Sequence, residues 1–143
     1  MMATKDIGEA IMELVEDLAI DEKPVFREVR RFPLSKLDDK TFKNDLVKLT
    51  LPACLIIFVR DNFKGRPYER TCDWILIAIF AGSEEAAGDA CTNFADLIRS
   101  GSINVNLDEA GKVHLRPDSG LTMLESTSRY TAGALTLLTV ERA

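Results

Sequence analysis

Hydrophobic side chains recur at three- and four-residue steps near the start of the chain, at Ile7, Ala10, Ile11, Leu14, Val15 and Leu18. That spacing places them on one stripe and predicts an amphipathic helix, with Glu9, Glu13, Glu16 and Asp17 on or beside its wet face. Asp6 is read as its cap, and Glu9 three residues on completes a capping-box-like pair. Lys23-Pro24 is read as the close of this unit, because the residue before a proline avoids helical angles. Val25–Phe32 then has strand composition with charge mixed into both faces, as expected at a sheet edge or between subunits. Ser35–Leu49 reads as a loop plus a short helix, with Phe42, Leu46 and Leu49 at helical spacing.

The pattern then changes to that of strands. Leu51–Arg60 is a continuous β-branched and aromatic run, with Pro52 tolerable only near its start or at an edge. Asp61–Pro67 is dense in turn formers and reads as a connecting loop. Tyr68–Ala81 alternates: Tyr68, Arg70, Cys72 and Trp74 share one face, and Glu69, Thr71, Asp73 and Ile75 the other. Its first half is polar on one face and its second half apolar on both. That predicts a strand whose start projects beyond the core, paired antiparallel with the strand before it.

Ser83 is placed to cap a second helix, with Glu84 and Glu85 near the positive end of its dipole. Ala86, Ala87, Ala90, Cys91, Phe94, Ala95, Leu97 and Ile98 are expected to give that helix a broad buried face, and Gly101 is placed to end it. Ile103–Leu107 and Lys112–Leu115 read as a small hairpin, Asp118–Ser128 as irregular surface, and Arg129–Glu141 as a closing strand with Gly133 at a bend or bulge. The expected fold is α+β, a mainly antiparallel sheet with two principal helices packed on one face. The 143 residues are expected to form a single domain, with no repeat or linker.

The apolar runs also bound the environment. The longest, Ala53–Val59 and Trp74–Ala81, are seven and eight residues, whereas a membrane-spanning helix needs about 18. No membrane association is expected, and Met1–Asp6 lacks the marks of a secretory signal. Cys54, Cys72 and Cys91 are odd in number and form no C-x-x-C, which reads as reduced thiols in a cytoplasm.

Charge is unevenly spread. The net charge is −5, but residues 1–22 carry −6, residues 23–70 carry +6 and residues 71–143 carry −5. Overall acidity argues against specific nucleic-acid binding, which needs a dense basic footprint. Opposite charge in different segments suits self-association, because unlike patches steer copies together. An ordinary solvated surface explains the same charges equally well.

Catalytic chemistry is not visible. His114 is the only histidine, so any Ser–His or Cys–His pair would need it, and it sits in a predicted short strand as a surface or packing residue. The cysteines lack zinc spacing, Asp38-Asp39 and Glu84-Glu85 lack an EF-hand frame, and no glycine-rich phosphate loop occurs. No catalytic residue, metal or cofactor is expected. The enzyme alternative is a carboxylate site of Glu69 and Asp73 on one strand face, set against the plainer reading of a wet face. The interface candidates are Phe63, an aromatic ring in a polar turn, with Lys64 and Arg66, and the strand-borne Arg27, Arg30 and Arg31. Aromatic and arginine side chains are enriched at interface hot spots. A ring folded back on its own hairpin and a solvated strand face are the plainer readings.

The order of elements resembles a known family. The amphipathic start carries Ile7-Gly8-Glu9-Ala10-Ile11, a strand is entered by Leu51-Pro52-Ala53-Cys54, and a Ser-capped helix spans Ser83–Ser100. The last strand returns through Tyr130-Thr-Ala-Gly-Ala-Leu-Thr-Leu. Over most of the chain this is similar to the tail-terminator, or tail-completion, proteins of long-tailed phages and prophages, nearest the Mu-like minor tail proteins. The resemblance implies an α+β sandwich and a homo-oligomeric ring, typically a hexamer. Such a ring caps the tail tube protein and joins it to a neck or head-completion protein. It implies a structural role without catalysis, in the host cytoplasm during assembly and then in the virion tail. A head–tail connector or another small phage adaptor is the neighbouring alternative.

Overall fold

The first stripe forms α1 (Thr4–Glu16), which buries Ile7, Ile11 and Val15 almost completely. A computed structural model describes residues 2–37, 39–102 and 104–142. The cap position is Ala3, without a side-chain bond, so Asp6 lies inside the first turn and acts on the helix dipole rather than as the cap. The helix also stops before Lys23-Pro24. A tight two-stranded turn intervenes between β1 (Ala19–Ile20) and β2 (Lys23–Pro24), with Asp21 and Glu22 at φ 52° and 68°. Paired positive φ values fit a tight hairpin turn, so the chain reverses through Asp21 and Glu22 rather than at the proline.

Next in order come β3 (Glu28–Arg31), a 3-10 turn (Leu34–Lys36), α2 (Asp39–Leu46), β4 (Ala53–Gly65) and β5 (Tyr68–Ala81). They are followed by α3 (Glu84–Leu97), a π turn (Ile98–Ser102), β6 (Val105–Asn106), β7 (Val113–Pro117), β8 (Thr122–Ser126) and β9 (Tyr130–Arg142). The main sheet runs β3-β4-β5-β9-β7-β6, with β8 also on β9. It is mixed: β3 lies parallel to β4, in register from Glu28↔Ala53 to Arg31↔Ile56, and every other pairing in it is antiparallel. The parallel pair follows from the crossover through α2, which returns the chain in its original direction.

Asp61–Gly65 is strand rather than loop. Every residue there has a cross-strand mate, as in Asn62↔Thr71 and Lys64↔Glu69, which leaves Arg66-Pro67 as the whole turn. Turn-forming composition misleads here because a long partner strand supplies the hydrogen bonds. A register shift between Phe58 and Arg60 marks a bulge where β4 leaves the core. The projecting part is thus the outer half of β4. The start of β5 is instead covered, with Arg70 and Cys72 buried.

β9 pairs with β5 along its length, and its other edge is divided between β7 and β8. β8 lies in the stretch read as irregular; its side chains are mostly exposed, so no alternation announces it. Gly133 sits in unbroken register against Ala78, and the irregularity expected there lies across from it, between Met123 and Glu125 of β8. A Cβ there would come within 2.8 Å of Leu121 Cδ1, so glycine allows the Leu121 segment to approach closely. Ser83 does occupy the cap position of α3, although its hydroxyl makes no cap bond, and Gly101 falls within the π turn. Val105–Asn106 does pair with β7, whereas Ile103 is outside the described residues.

The alternation in β5 divides the interior in two. On one face Trp74, Leu76, Leu135 and Leu137 pack with α1 and with Phe94 of α3. On the other, Leu55, Ile57, Ile77 and Ile79 pack with Leu46 of α2, and Phe42 and Leu49 complete the cover. Cys54, Cys72 and Cys91 are free and buried, and burial pushes all three thiols up. No helix among the described residues is long and apolar enough to cross a membrane.

Candidate interaction surface

Because β3 is an edge strand parallel to β4, its alternating side chains fall on different faces of the sheet. Arg31 points to the face covered by α1, where its guanidinium carbon lies 5.3 Å from the centre of the Trp74 ring. Phe58 meets the same indole edge-on, with centroids 5.3 Å apart. Gly8 closes the arrangement from α1, where a Cβ would overlap the guanidinium of Arg31. A glycine inside an otherwise strong helix is the signal that could have revealed this slot. Arg31 Nε is buried without a hydrogen-bond partner. Arg31, Phe32, Pro33, Leu34 and Phe58 line an open cavity of about 380 Å³ beside it.

Gly8→Ala tests the slot. Alanine gains about 1 kcal/mol of helix propensity, and loss of the cation–π contact costs about 0.5–2 kcal/mol. Little net change in unfolding free energy is expected, together with a changed Trp74 emission as the guanidinium leaves. A loss above about 3 kcal/mol would mean that the backbone, not Arg31, had to move.

Arg27 and Arg30 are exposed on the same margin, and Arg30 Nη2 stands 3.6 Å from Glu28 Oε2. Lys64 and Arg66 are exposed at the outer end of the hairpin. Phe63 is 57% exposed and lies edge-on to Tyr68, centroids 5.4 Å apart. The ring therefore leans on its own hairpin while most of its surface faces water. The structure brings these six residues to the β3–β4 side of the sheet but into no single pocket.

Tyr68 leads into a network that motif reading missed. Its hydroxyl donates to Glu141 Oε1 at 2.8 Å, the Met2 amide donates to Oε2 at 2.8 Å, and Arg70 Nη2 lies 3.2 Å from Oε1. Arg70 also donates to the Met2 carbonyl. Arg70 and Glu141 are directly opposed across β5 and β9, 6% and 5% exposed. Their inward parity is legible along each strand, but their register is not.

The carboxylate alternative does not assemble. Glu69 pairs with Arg142 at 3.0 Å and Asp73 with Arg60 at 2.7 Å, so each acid has its own cross-strand arginine on an open face. His114 lies between Asn106 and Asn104, at 3.1 and 2.6 Å. No group of three potential metal ligands occurs among the described residues; Asp38 lies outside them. No known family model matches the chain, and no curated protein matches its sequence.

One tyrosine supplies a pH signature. Burial, and then donation to Glu125 Oε2 at 2.7 Å, push the Tyr130 phenol up from 10.0 to about 12. The folded state holds that proton more tightly than the unfolded chain does. Its stabilisation is therefore complete below pH 10 and lost as pH rises from 10 toward 12. Phenolate absorbance is expected to lag in the native protein and rise on unfolding at pH 10.5 or so. Identical native and unfolded titrations would contradict this.

Proposed function

We propose that this chain is a structural protein of the phage tail-terminator kind, a ring of identical subunits that caps a finished tail tube and joins it to the neck. The observation that carries the reading is the exposed outer half of β4. Past the bulge between Phe58 and Arg60 it is the open edge of the sheet, and it exposes Phe63 beside Lys64. An exposed aromatic beside a lysine suits a protein contact better than solvent. The order of elements and the resemblance at Ile7–Ile11 and Leu51–Cys54 support the same reading. The frame that goes with it is an α+β sandwich, a mainly antiparallel sheet with α1 and α3 as its principal helices. Its partners are further copies of itself, the tail tube protein and a neck protein. Its place is the host cytoplasm during assembly and then the virion tail.

Native mass spectrometry over a range of concentrations and ionic strengths tests the reading, with a closed ring, a hexamer above all, as the expected result. A chain that stays monomeric and also fails to cap the tail tubes of its own virus overturns it. Retention by a portal or connector protein in place of the tube moves the assignment to a head–tail connector. Phe63→Ala is expected to weaken assembly by about 2 kcal/mol or more. The same change removes only about 0.5–1.5 kcal/mol of aromatic pairing from the fold. Unaltered assembly would take Phe63 out of the interface.

A further inference from the structure

We infer that the cavity between β7 and β9 binds a phosphate monoester of a small organic molecule. The site is independent of the ring-forming reading and requires no second copy. Alternation along β7 decides which side chains reach it. Val113 and Leu115 are buried in the core, so Lys112, His114 and Arg116 stand together on the opposite face. Register then brings β9 alongside: His114 is opposite Val140, and the Arg142 amide donates to the Lys112 carbonyl at 3.1 Å. Gly111, Lys112, His114, Arg116, Val140 and Arg142 line one cavity of about 350 Å³. Positions 112 and 116 are about 13 Å apart along a strand, a span that two long side chains close around a ligand held over His114 and Val140.

The charges on this cavity run against their surroundings. Residues 71–143 carry −5, yet no carboxylate is among the lining residues. Lys112 and Arg116 join no ion pair among the described residues, and Arg142 meets Glu69 through Nε at 3.0 Å. Asp108, in the turn before β7, is engaged by the backbone and accepts from the Val113 amide at 3.0 Å. The cations therefore repel one another with only Glu69 set against them, and a bound anion relieves that repulsion. Three positive charges, one of them offset by Glu69, match the charge of about −2 on a phosphate monoester at neutral pH. A carboxylate or a phosphodiester brings a single charge. Guanidinium groups also pair with phosphate oxygens in bidentate fashion, and a lysine adds a point charge.

His114 gives the cavity a fixed side. Its Nδ1 lies 3.1 Å from Asn106 Oδ1 and its Nε2 lies 2.6 Å from Asn104 Oδ1, so the ring is held at both nitrogens. With half-buried Val140 across the strand pair, it offers a flat, weakly polar surface to the organic part of the ligand. The volume sits at the small end of ligand sites, which run from about 300 to 1,000 Å³, and suits one small ester rather than a long chain.

Titration of the protein with phenyl phosphate, inorganic phosphate and benzoate at constant ionic strength tests the site. His114 is the only histidine, so its imidazole protons give single reporter signals in a proton NMR spectrum. Phenyl phosphate is expected to shift them saturably, with a Kd of about 1 mM or tighter. Inorganic phosphate, lacking the ring, is expected to bind about tenfold more weakly, and benzoate not measurably. Lys112→Gln and Arg116→Gln change exposed side chains, and an unaltered unfolding midpoint checks that both proteins fold. Each is expected to weaken phenyl phosphate binding about tenfold. Lys48→Gln removes the same charge from an exposed position beyond α2 and is expected to leave binding as it was. Shifts that stay linear in ligand concentration, unaltered affinity in both β7 variants, or equal weakening by Lys48→Gln each overturn the site. Benzoate binding as tightly as phenyl phosphate overturns the phosphate assignment. A single-stranded oligonucleotide that shifts His114 at lower concentration than phenyl phosphate overturns the small-molecule ligand and gives the face to nucleic acid.

Discussion

Glu141→Ala is expected to lower the unfolding free energy by about 3–5 kcal/mol, the usual cost of stripping one partner from a buried ion pair. The carboxylate accepts from the Tyr68 hydroxyl and the Met2 amide and faces Arg70, so alanine leaves these donors in a site that admits little water. Arg70 already has one buried Nε without a partner, and removal of Glu141 leaves its charge uncompensated. The double change Arg70→Met with Glu141→Leu is expected to recover most of the loss, because a well-packed apolar pair is often as stable as a buried ionic one. Urea unfolding measures both. A Glu141→Ala loss below about 1 kcal/mol would show that water reaches the pair freely. Hydrogen exchange adds a second readout: α1 should open more readily once the Met2 anchor is gone.

Trp74→Ala is the other change with a large expected effect, about 3–5 kcal/mol, as for aromatic truncations in cores. The side chain is fully buried, and its Nε1–H donates to Thr139 Oγ1 at 3.1 Å. The indole also holds Phe58 edge-on and carries the Arg31 guanidinium, so alanine empties the middle of the larger core and frees the β3 edge together. Trp74→Phe separates these effects. It keeps most of the apolar volume and a ring under Arg31, and is expected to cost about 1–3 kcal/mol, chiefly through the bond lost by Thr139. Similar losses for the two variants would mean that the hydrogen bond, not packing, carries the site.

Periodicity carried the elements whose faces differ in burial. α1, α3 and β9 bury one stripe or one alternate set, and β5 does so at its start before its apolar second half is buried on both faces, so Ile7, Ile11, Trp74, Phe94 and Leu137 are legible as core. β8 was not, because neither of its faces is consistently buried. Asp61–Gly65 was misread because residues typical of turns pair equally well inside a long hairpin when the partner strand is present. The parallel placement of β3 depends on where α2 carries the chain, which no local pattern encodes. At the candidate surface, the exposure of Phe63, Lys64 and Arg66 followed from composition. The linking of Gly8, Arg31 and Trp74, and of Arg70 and Glu141, depends on tertiary placement and register, which a single sequence does not display.

The strand order also bears on the making of the protein. β9 occupies the middle of the sheet, between β5 on one side and β7 and β8 on the other, yet it follows all of them along the chain. A nascent chain halted on the ribosome before Tyr130 therefore holds its sheet as β3-β4-β5, a separate β6-β7 pair and a β8 with no partner strand. The apolar edge of β5, from Trp74 to Ala81, then waits unpaired for a strand not yet synthesised. Non-local pairing of this kind is slow and leaves sticky edges exposed in the interval. The sheet is thus completed only once β9 is available, and truncated products ending before β9 are the natural clients of chaperones and proteases.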